Sequence, residues 1–342
     1  MPTNSAQRLD LSAPARAAAP DPSSVPRKVK RRASGGRSGA ASSMMYRRKI
    51  IPWLIGPAIA FELLVYVVPI LAGFYTSTIR VGVSTLHNWF GAPFVGLGNF
   101  KVVLGTPDIV QPLVHSFLIS LEYTAAVVAL SLLLGFLAVV LVRSLPKGAR
   151  FFNFTYLLPF GIPAYAGALT WQFIFQPNGT VNSLLSALHL PGAMAHWMTG
   201  NNAFWAMVIA TTWRTWPFVF LMLMAPAQSI GNEVVEALRL DGGGRWHEMI
   251  HITLPHVRTA MVTVSLILFF WTFNDFSTPY VFFGQIPPVQ ADLFPLHVYS
   301  TSFANGSYSV GTAMTILAVV ALLIFGVPYS KMSGLLKGQK NA

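Results

Sequence analysis

The chain has 342 residues, 54% of them hydrophobic and only 10% charged, with a mean hydropathy of +0.55. Soluble globular domains carry about 25% charged residues, so the composition excludes that class and points to an all-α, polytopic membrane protein. The absence of cysteine rules out a disulfide framework or a thiol-ligated metal. The formal charge of +12 is concentrated in the first 50 residues, where eleven Lys and Arg stand against Asp10 and Asp21; the basicity is a tail, not a nucleic-acid surface.

Residues 1–45 are rich in Ala, Ser, Pro, Gly and Arg with few large apolar side chains, the composition of a disordered tail. Within it, Arg27-Lys28-Val29-Lys30-Arg31-Arg32 either holds anionic membrane lipid or stays solvated. The apolar run after Lys49 is longer than the roughly 7–15 residues of a signal-peptide core, and no small-residue cleavage site follows. Six stretches, about 50–79, 113–142, 151–175, 203–226, 257–278 and 310–328, are apolar enough to cross a core of about 30 Å, which takes around 20 helical residues. Pro57, Pro69, Pro159, Pro163 and Pro217 lie inside them. Neighbouring helices must satisfy the carbonyls these prolines free, which favours a six-helix bundle over 46–330 that lines a cavity.

Loop charge sets the orientation. Arg47, Arg48 and Lys49, then Arg143, Lys147 and Arg150, then Arg239, Arg245 and Arg258, then Lys331, Lys337 and Lys340 fall on one side. The other side holds only Arg80 and Lys101, and segments 176–202 and 279–308 hold neither residue type. The basic side is cytoplasmic, which places both termini, a loop over 228–256 and a short tail over 331–342 inside.

That loop carries Glu236-Ala237-Leu238-Arg239-Leu240-Asp241-Gly242-Gly243-Gly244-Arg245-Trp246-His247-Glu248-Met249-Ile250-His251-Ile252-Thr253-Leu254-Pro255. Residues 232–240 favour helix, the Asp-Gly-Gly-Gly run ends it, and a second helix is expected from Arg245 with Trp246, Met249, Ile250 and Leu254 on a buried side while Arg245 and Glu248 stay wet. Two short helices hinged on glycines make a knob suited to a partner's groove, or an amphipathic helix resting on the bilayer. The stretch resembles the E-A-A-x-x-x-G loop of bacterial ATP-binding-cassette importer permeases, with Glu236, Ala237, Arg239, Asp241, Gly242, Arg245, Trp246, Ile252, Leu254 and Pro255 in register. Leu238, Gly243 and Met249 depart modestly from the commonest residues.

Three further stretches are similar to the carbohydrate-uptake branch of that family, of maltose or glycerol-3-phosphate type. They are Phe94-Val95-Gly96-Leu97-Gly98-Asn99-Phe100, the segment Trp171 through Leu185 with Pro177-Asn178-Gly179-Thr180-Val181-Asn182, and Phe273-Asn274-Asp275-Phe276. The resemblance implies a bacterial plasma-membrane permease that imports a sugar or related solute. It also implies a heterodimer with a second permease, two cytoplasmic ATPase subunits engaged through Glu236, Ala237, Arg239, Asp241, Gly242, Arg245, Trp246, Met249, Leu254 and Pro255, and an extracytoplasmic solute-binding protein. No G-x-x-x-x-G-K-[ST] loop occurs, so ATP and Mg are expected on partner subunits and no cofactor on this chain.

His247-Glu248-Met249-Ile250-His251 also matches the H-E-x-x-H helix of zinc proteases. A catalytic zinc needs a third protein ligand; only Asp275, Asp292, His256 and His297 follow, so no catalytic residue and no metal is assigned, and an intramembrane zinc protease remains the remote alternative. An ion-coupled secondary transporter is the other alternative, with Glu62, Glu122 and Asp275 as its intramembrane carboxylates. For the solute path the strong hydrogen-bonding groups deep in the fourth and fifth spans are Arg214, Thr272, Asn274 and Asp275, with an Arg214–Asp275 ion pair as the structural alternative.

Overall fold

The computed structural model describes residues 55–145, 149–192 and 195–332; the basic tail, Lys147 and the chain from 333 lie outside the described residues. The chain divides into a unit up to Val65 and a unit from Tyr66 onward. In the first, the described residues from Ile55 are helical and, Gly56 apart, exposed, Glu62 included.

The second unit is built from helices. They are α1 (Val68–Thr78), α2 (Gly98–Gly105), α3 (Pro107–Arg143), α4 (Ala149–Leu157), α5 (Ala164–Ile174), α6 (Thr180–Ala187), α7 (Gly200–Gln228), α8 (Asn232–Leu240), α9 (Leu254–Phe273), α10 (Ser277–Phe283), α11 (Phe294–Tyr299) and α12 (Tyr308–Met332). Among the described residues the only strand-like pairing is one antiparallel bridge, Ile79 with Phe94. Four helical stretches among the described residues are long and apolar enough to cross a membrane: Ile55–Thr78, Pro107–Arg143, Gly200–Gln228 and Arg245–Phe283; the apolar part of α12, Tyr308–Ile324, is shorter.

The third expected span is not one helix. Between α4 and α5 the chain turns through Leu158–Pro163, because Pro159 and Pro163 remove amide donors and Pro163 bars Ile162 from the α conformation. The fifth expected span likewise breaks after Phe273 and resumes as α10.

The principal packing is α3 against α7, with α9 on both. On α3, Tyr123, Val127, Ser131, Gly135 and Val139 recur every fourth residue and are buried; Thr211, Thr215, Val219 and Leu223 do the same on α7. Small and hydroxylated residues let two helices approach closely where lipid supplies no hydrophobic drive. Ser131 Oγ lies 2.8 Å from Thr215 Oγ1. A Cβ at Gly135 would stand 2.6 Å from Val219 Cβ and 2.9 Å from the Phe220 amide, so only glycine fits. Below this stripe Phe136, Val142, Phe220 and Leu268 close a core, and the Arg143 guanidinium donates to the Ala227 carbonyl near the end of α7.

Two of the motif stretches have local structural work. Asn99 is buried and its amide donates to the Ser77 and Ile79 carbonyls, both at 2.8 Å, tying α2 to the end of α1; Gly96 sits at φ +55 in the turn between them. Asn182, also buried, donates to the Pro177 and Ala195 carbonyls at 3.0 Å and accepts from Trp197 Nε1 at 2.8 Å, which organises the loop between α5 and α7.

Candidate functional site

Two regions hold the candidate functional side chains. The first is a cavity of about 430 Å³ lined by Phe160, Arg214, Thr215, Phe270, Trp271, Thr272 and Asn274. Three of the four residues expected in the solute path, Arg214, Thr272 and Asn274, therefore meet. The α7 register places Arg214 beside Thr215, and the last turn of α9 with its break supplies the others. The Asn274 amide donates to the Phe270 carbonyl at 2.9 Å, which caps the end of α9 and leaves the Asn274 carbonyl oxygen free to accept from a ligand. Thr272 is buried, and among the described residues its hydroxyl has no hydrogen-bond partner. An orphaned buried hydroxyl costs about 1–3 kcal/mol unless water or a ligand satisfies it. Arg214 is half-buried, and among the described residues no carboxylate stands within ion-pair distance of it.

Aromatic rings form the rest of the wall. Phe160 stacks on Phe218 with centroids 5.4 Å apart, and Phe218 meets Trp271 at 4.9 Å. Apolar ring faces with a few convergent polar groups are what a binding pocket for a hydroxyl-rich solute requires.

Asp275 corrects the expectation. It is buried and does not line the cavity, and it makes no ion pair with Arg214. The turn at Asn274 sends consecutive side chains to opposite sides, so the Asp275 carboxylate meets the Tyr123 hydroxyl at 3.0 Å, the Thr211 hydroxyl at 3.4 Å and the Thr278 amide at 3.2 Å. Glu122, its neighbour on α3, is exposed. Phe160, Thr215, Phe270 and Trp271 were not among the expected path residues. Thr215 and Phe270-Trp271 adjoin expected ones in sequence, whereas Phe160 has no local signal because a turn between two prolines brings it in.

The second region is the loop. α8 ends in a left-handed cap: Gly242 has φ +81, its amide donates to the Arg239 carbonyl at 3.1 Å, and the Gly243 amide reaches back to the Leu238 carbonyl at 2.8 Å. A Cβ at Gly243 would meet Leu238 Cγ at 2.5 Å. The chain re-enters helix at Arg245–His247 and widens into a π segment, Glu248–Thr253, that runs directly into α9. Arg239 pairs with Glu248 at 3.6 Å, bridging the two arms of the knob.

Burial in the loop departs from the expected face. Trp246 is 67% exposed and Leu254 37%, while Glu248 is partly buried; of the four residues expected on the buried side only Met249 and Ile250 turn inward, Met249 onto the α3–α7–α9 core. The π turn adds a residue per turn and rotates the face away from regular helical spacing. Glu236, Ala237, Asp241, Gly242, Arg245 and Pro255 are also exposed, and Leu240 is 89% exposed, so the knob presents Leu240 and Trp246 outward with flanking charges. The His247 and His251 rings stack at 5.7 Å, and among the described residues no group of three potential ligands is placed to hold a metal.

Comparison with known proteins bears on both regions. Residues 131–331, which include both, match the family described as binding-protein-dependent transport system inner membrane component. The trehalose/maltose transport system permease protein MalF of Thermococcus litoralis is 27% identical over 85% of this chain and 96% of its own length. The diacetylchitobiose uptake system permease protein DasB of Streptomyces coelicolor is 28% identical over 88% and 92%, and the inner membrane ABC transporter permease protein YcjO of Escherichia coli is 30% identical over 68% and 77%. A chain of a bacterial ABC transporter that imports the acidic polysaccharide alginate shares the fold, with a TM-score of 0.65 at 18% identity over 86% of this chain and 98% of that one. The chain belongs to the binding-protein-dependent transport system inner membrane components, as a permease subunit of an ATP-binding-cassette importer.

Proposed function

We propose that this permease forms the translocation path for a sugar or a related hydroxyl-rich solute and that the Arg214–Asn274 cavity is where the solute rests in passage. The observation that carries this reading is the meeting of Arg214, Thr215, Thr272 and Asn274 in one aromatic-walled cavity. Relatives named for trehalose, maltose and diacetylchitobiose uptake favour the same solute class.

In this reading the protein pairs with a second permease, and two cytoplasmic ATPase subunits bind ATP and Mg and seat on the knob formed by Glu236–Pro255. An external binding protein delivers the solute, as in the alginate transporter solved with its alginate-pentasaccharide-bound periplasmic protein. The π segment joins the knob to α9 without a break, and the far end of α9 carries Thr272. Closure of the ATPases displaces the knob, α9 follows as a stiff lever, and the cavity wall moves. Both termini lie in the cytoplasm.

The test is ATP-driven uptake by vesicles holding the complete transporter, measured for trehalose, maltose, diacetylchitobiose and a neutral amino acid. Wild type should move at least one saccharide and not the amino acid, and Asn274→Leu should lower uptake or change preference among saccharides with ATPase assembly intact. An Asn274→Leu transporter that assembles and moves every solute at the wild-type rate removes residue 274, and with it the cavity, from the path.

A further inference from the structure

The break between α9 and α10 is held by a closed polar network. Asp275 Oδ1 accepts from the Thr278 amide at 3.2 Å, in the first turn of α10. Asp275 Oδ2 faces the Tyr123 hydroxyl at 3.0 Å and the Thr211 hydroxyl at 3.4 Å; Tyr123 and Thr211 oxygens lie 2.7 Å apart, and Thr211 and Thr278 oxygens 3.2 Å apart. Tyr123 has one hydroxyl proton and cannot donate to both Thr211 and Asp275. The proton count closes if Thr278 donates to Thr211, Thr211 to Tyr123, and Tyr123 to the carboxylate, which is acceptor-only when ionised. All four residues are buried and lie on three different helices and the break. At its other end α10 is held as well: Gln172 Nε2 on α5 donates to the Val281 carbonyl at 2.7 Å and the Phe282 carbonyl at 3.2 Å.

α10 is thus a short helix fixed at both ends by side chains from the bundle. The peptide entering its first turn carries Asn274 toward the cavity and Asp275 away from it. A backbone pinned through Asp275 cannot move without moving its neighbour.

We propose that Asp275 is a positioning residue: anchored by Tyr123, Thr211 and the Thr278 amide, it sets where Asn274 and the end of α9 stand in the cavity. The solute it would serve rests on the functional reading above; the anchoring itself does not. Substitution by asparagine keeps an acceptor for the Thr278 amide, and its NH₂ donates where the carboxylate accepted. The hydroxyl chain then runs in the opposite direction, from Tyr123 to Thr211 to Thr278. Leucine offers neither, so the amide variant should rescue what the apolar one breaks.

The chain has no native cysteine, so single cysteines report position directly. In the assembled transporter, Asn274→Cys and Phe160→Cys are each reacted with a methanethiosulfonate-ethylammonium reagent, and the labelling rate is measured with Asp275 intact, with Asp275→Asn, with Asp275→Leu, and with Tyr123→Phe plus Thr211→Val. That double variant keeps the Asp275 carboxylate and removes only its side-chain donors, so it stands in if Asp275→Leu does not fold. Asp275→Leu and the double variant should change the rate at position 274 by about fivefold or more, while the rate at 160, on a separate turn, stays within about twofold and Asp275→Asn restores the rate at 274. Equal rates at 274 in all backgrounds, or equal changes at 274 and 160, overturn the positioning role. No labelling at either site with Asp275 intact overturns the cavity and the functional reading instead.

Discussion

Gly135→Ala is the sharpest packing experiment the fold offers, because the new methyl carbon would stand 2.6 Å from Val219 Cβ and 2.9 Å from the Phe220 nitrogen. The second contact is backbone, so no rotamer change relieves it, and α3 and α7 must separate. Ser131 and Thr215, one turn away, then lose part of a 2.8 Å hydrogen bond. Overpacking of this kind costs about 1–3 kcal/mol. Alanine returns about 1 kcal/mol through helix propensity, which leaves a net loss of about 0–2 kcal/mol. Gly73→Ala in α1 is the control, since nothing lies within 4 Å of its added carbon, and it should be neutral or slightly stabilising. Thermal unfolding of both purified variants in detergent should place the Gly135 variant below the Gly73 variant by about 1–4 °C by size scaling. Equal melting temperatures would show that α3 and α7 are not in the close contact on which the whole bundle, and the position of Arg214, depends.

Gly242→Ala should cost about 1 kcal/mol locally because φ +81 strains any side chain; exchange of the Gly243 amide should rise about fivefold, with Gly244→Ala, in open space and at negative φ, as the unchanged control. Single cysteines at Asn178, Ser307 and Lys147 should give impermeant labelling from outside at the first two only; labelling of Lys147→Cys in intact cells contradicts cytoplasmic placement of the basic loops. His247→Ala combined with His251→Ala should keep transport within about threefold, since both side chains are exposed and His251 Nδ1 contacts only the His247 carbonyl at 3.2 Å. Stoichiometric zinc lost with that double variant would revive the protease reading.

The parts legible in the sequence were those set by short-range geometry. The end of α8 at Leu240 and the restart at Arg245 follow from three consecutive glycines, and the long spans follow from hydropathy. Arg214, Thr272 and Asn274, which line one cavity, were singled out by one rule, that strong hydrogen-bonding groups deep in a span need a purpose. The rest depends on rotation. A π turn reversed the expected burial of Trp246 and Glu248, and a break one residue before Asp275 turned its carboxylate onto Tyr123, which hydropathy cannot register. Pro159 and Pro163 read as tolerated kinks and proved to be a turn, because together they remove two donors within five residues. That turn delivers Phe160 to the cavity, a placement fixed only by tertiary packing.

The central claim is that work done on the Glu236–Pro255 knob moves solute past Asn274. It is tested most directly by ATP-driven uptake of maltose, trehalose and diacetylchitobiose into vesicles holding the whole transporter, comparing wild type with Gly242→Pro, which forbids the left-handed cap, and Asp241→Ala. Both variants should insert and both should lose uptake, through failed ATPase association or through hydrolysis without transport. Uptake at the wild-type rate by either variant, at equal amounts of assembled transporter, would contradict the account.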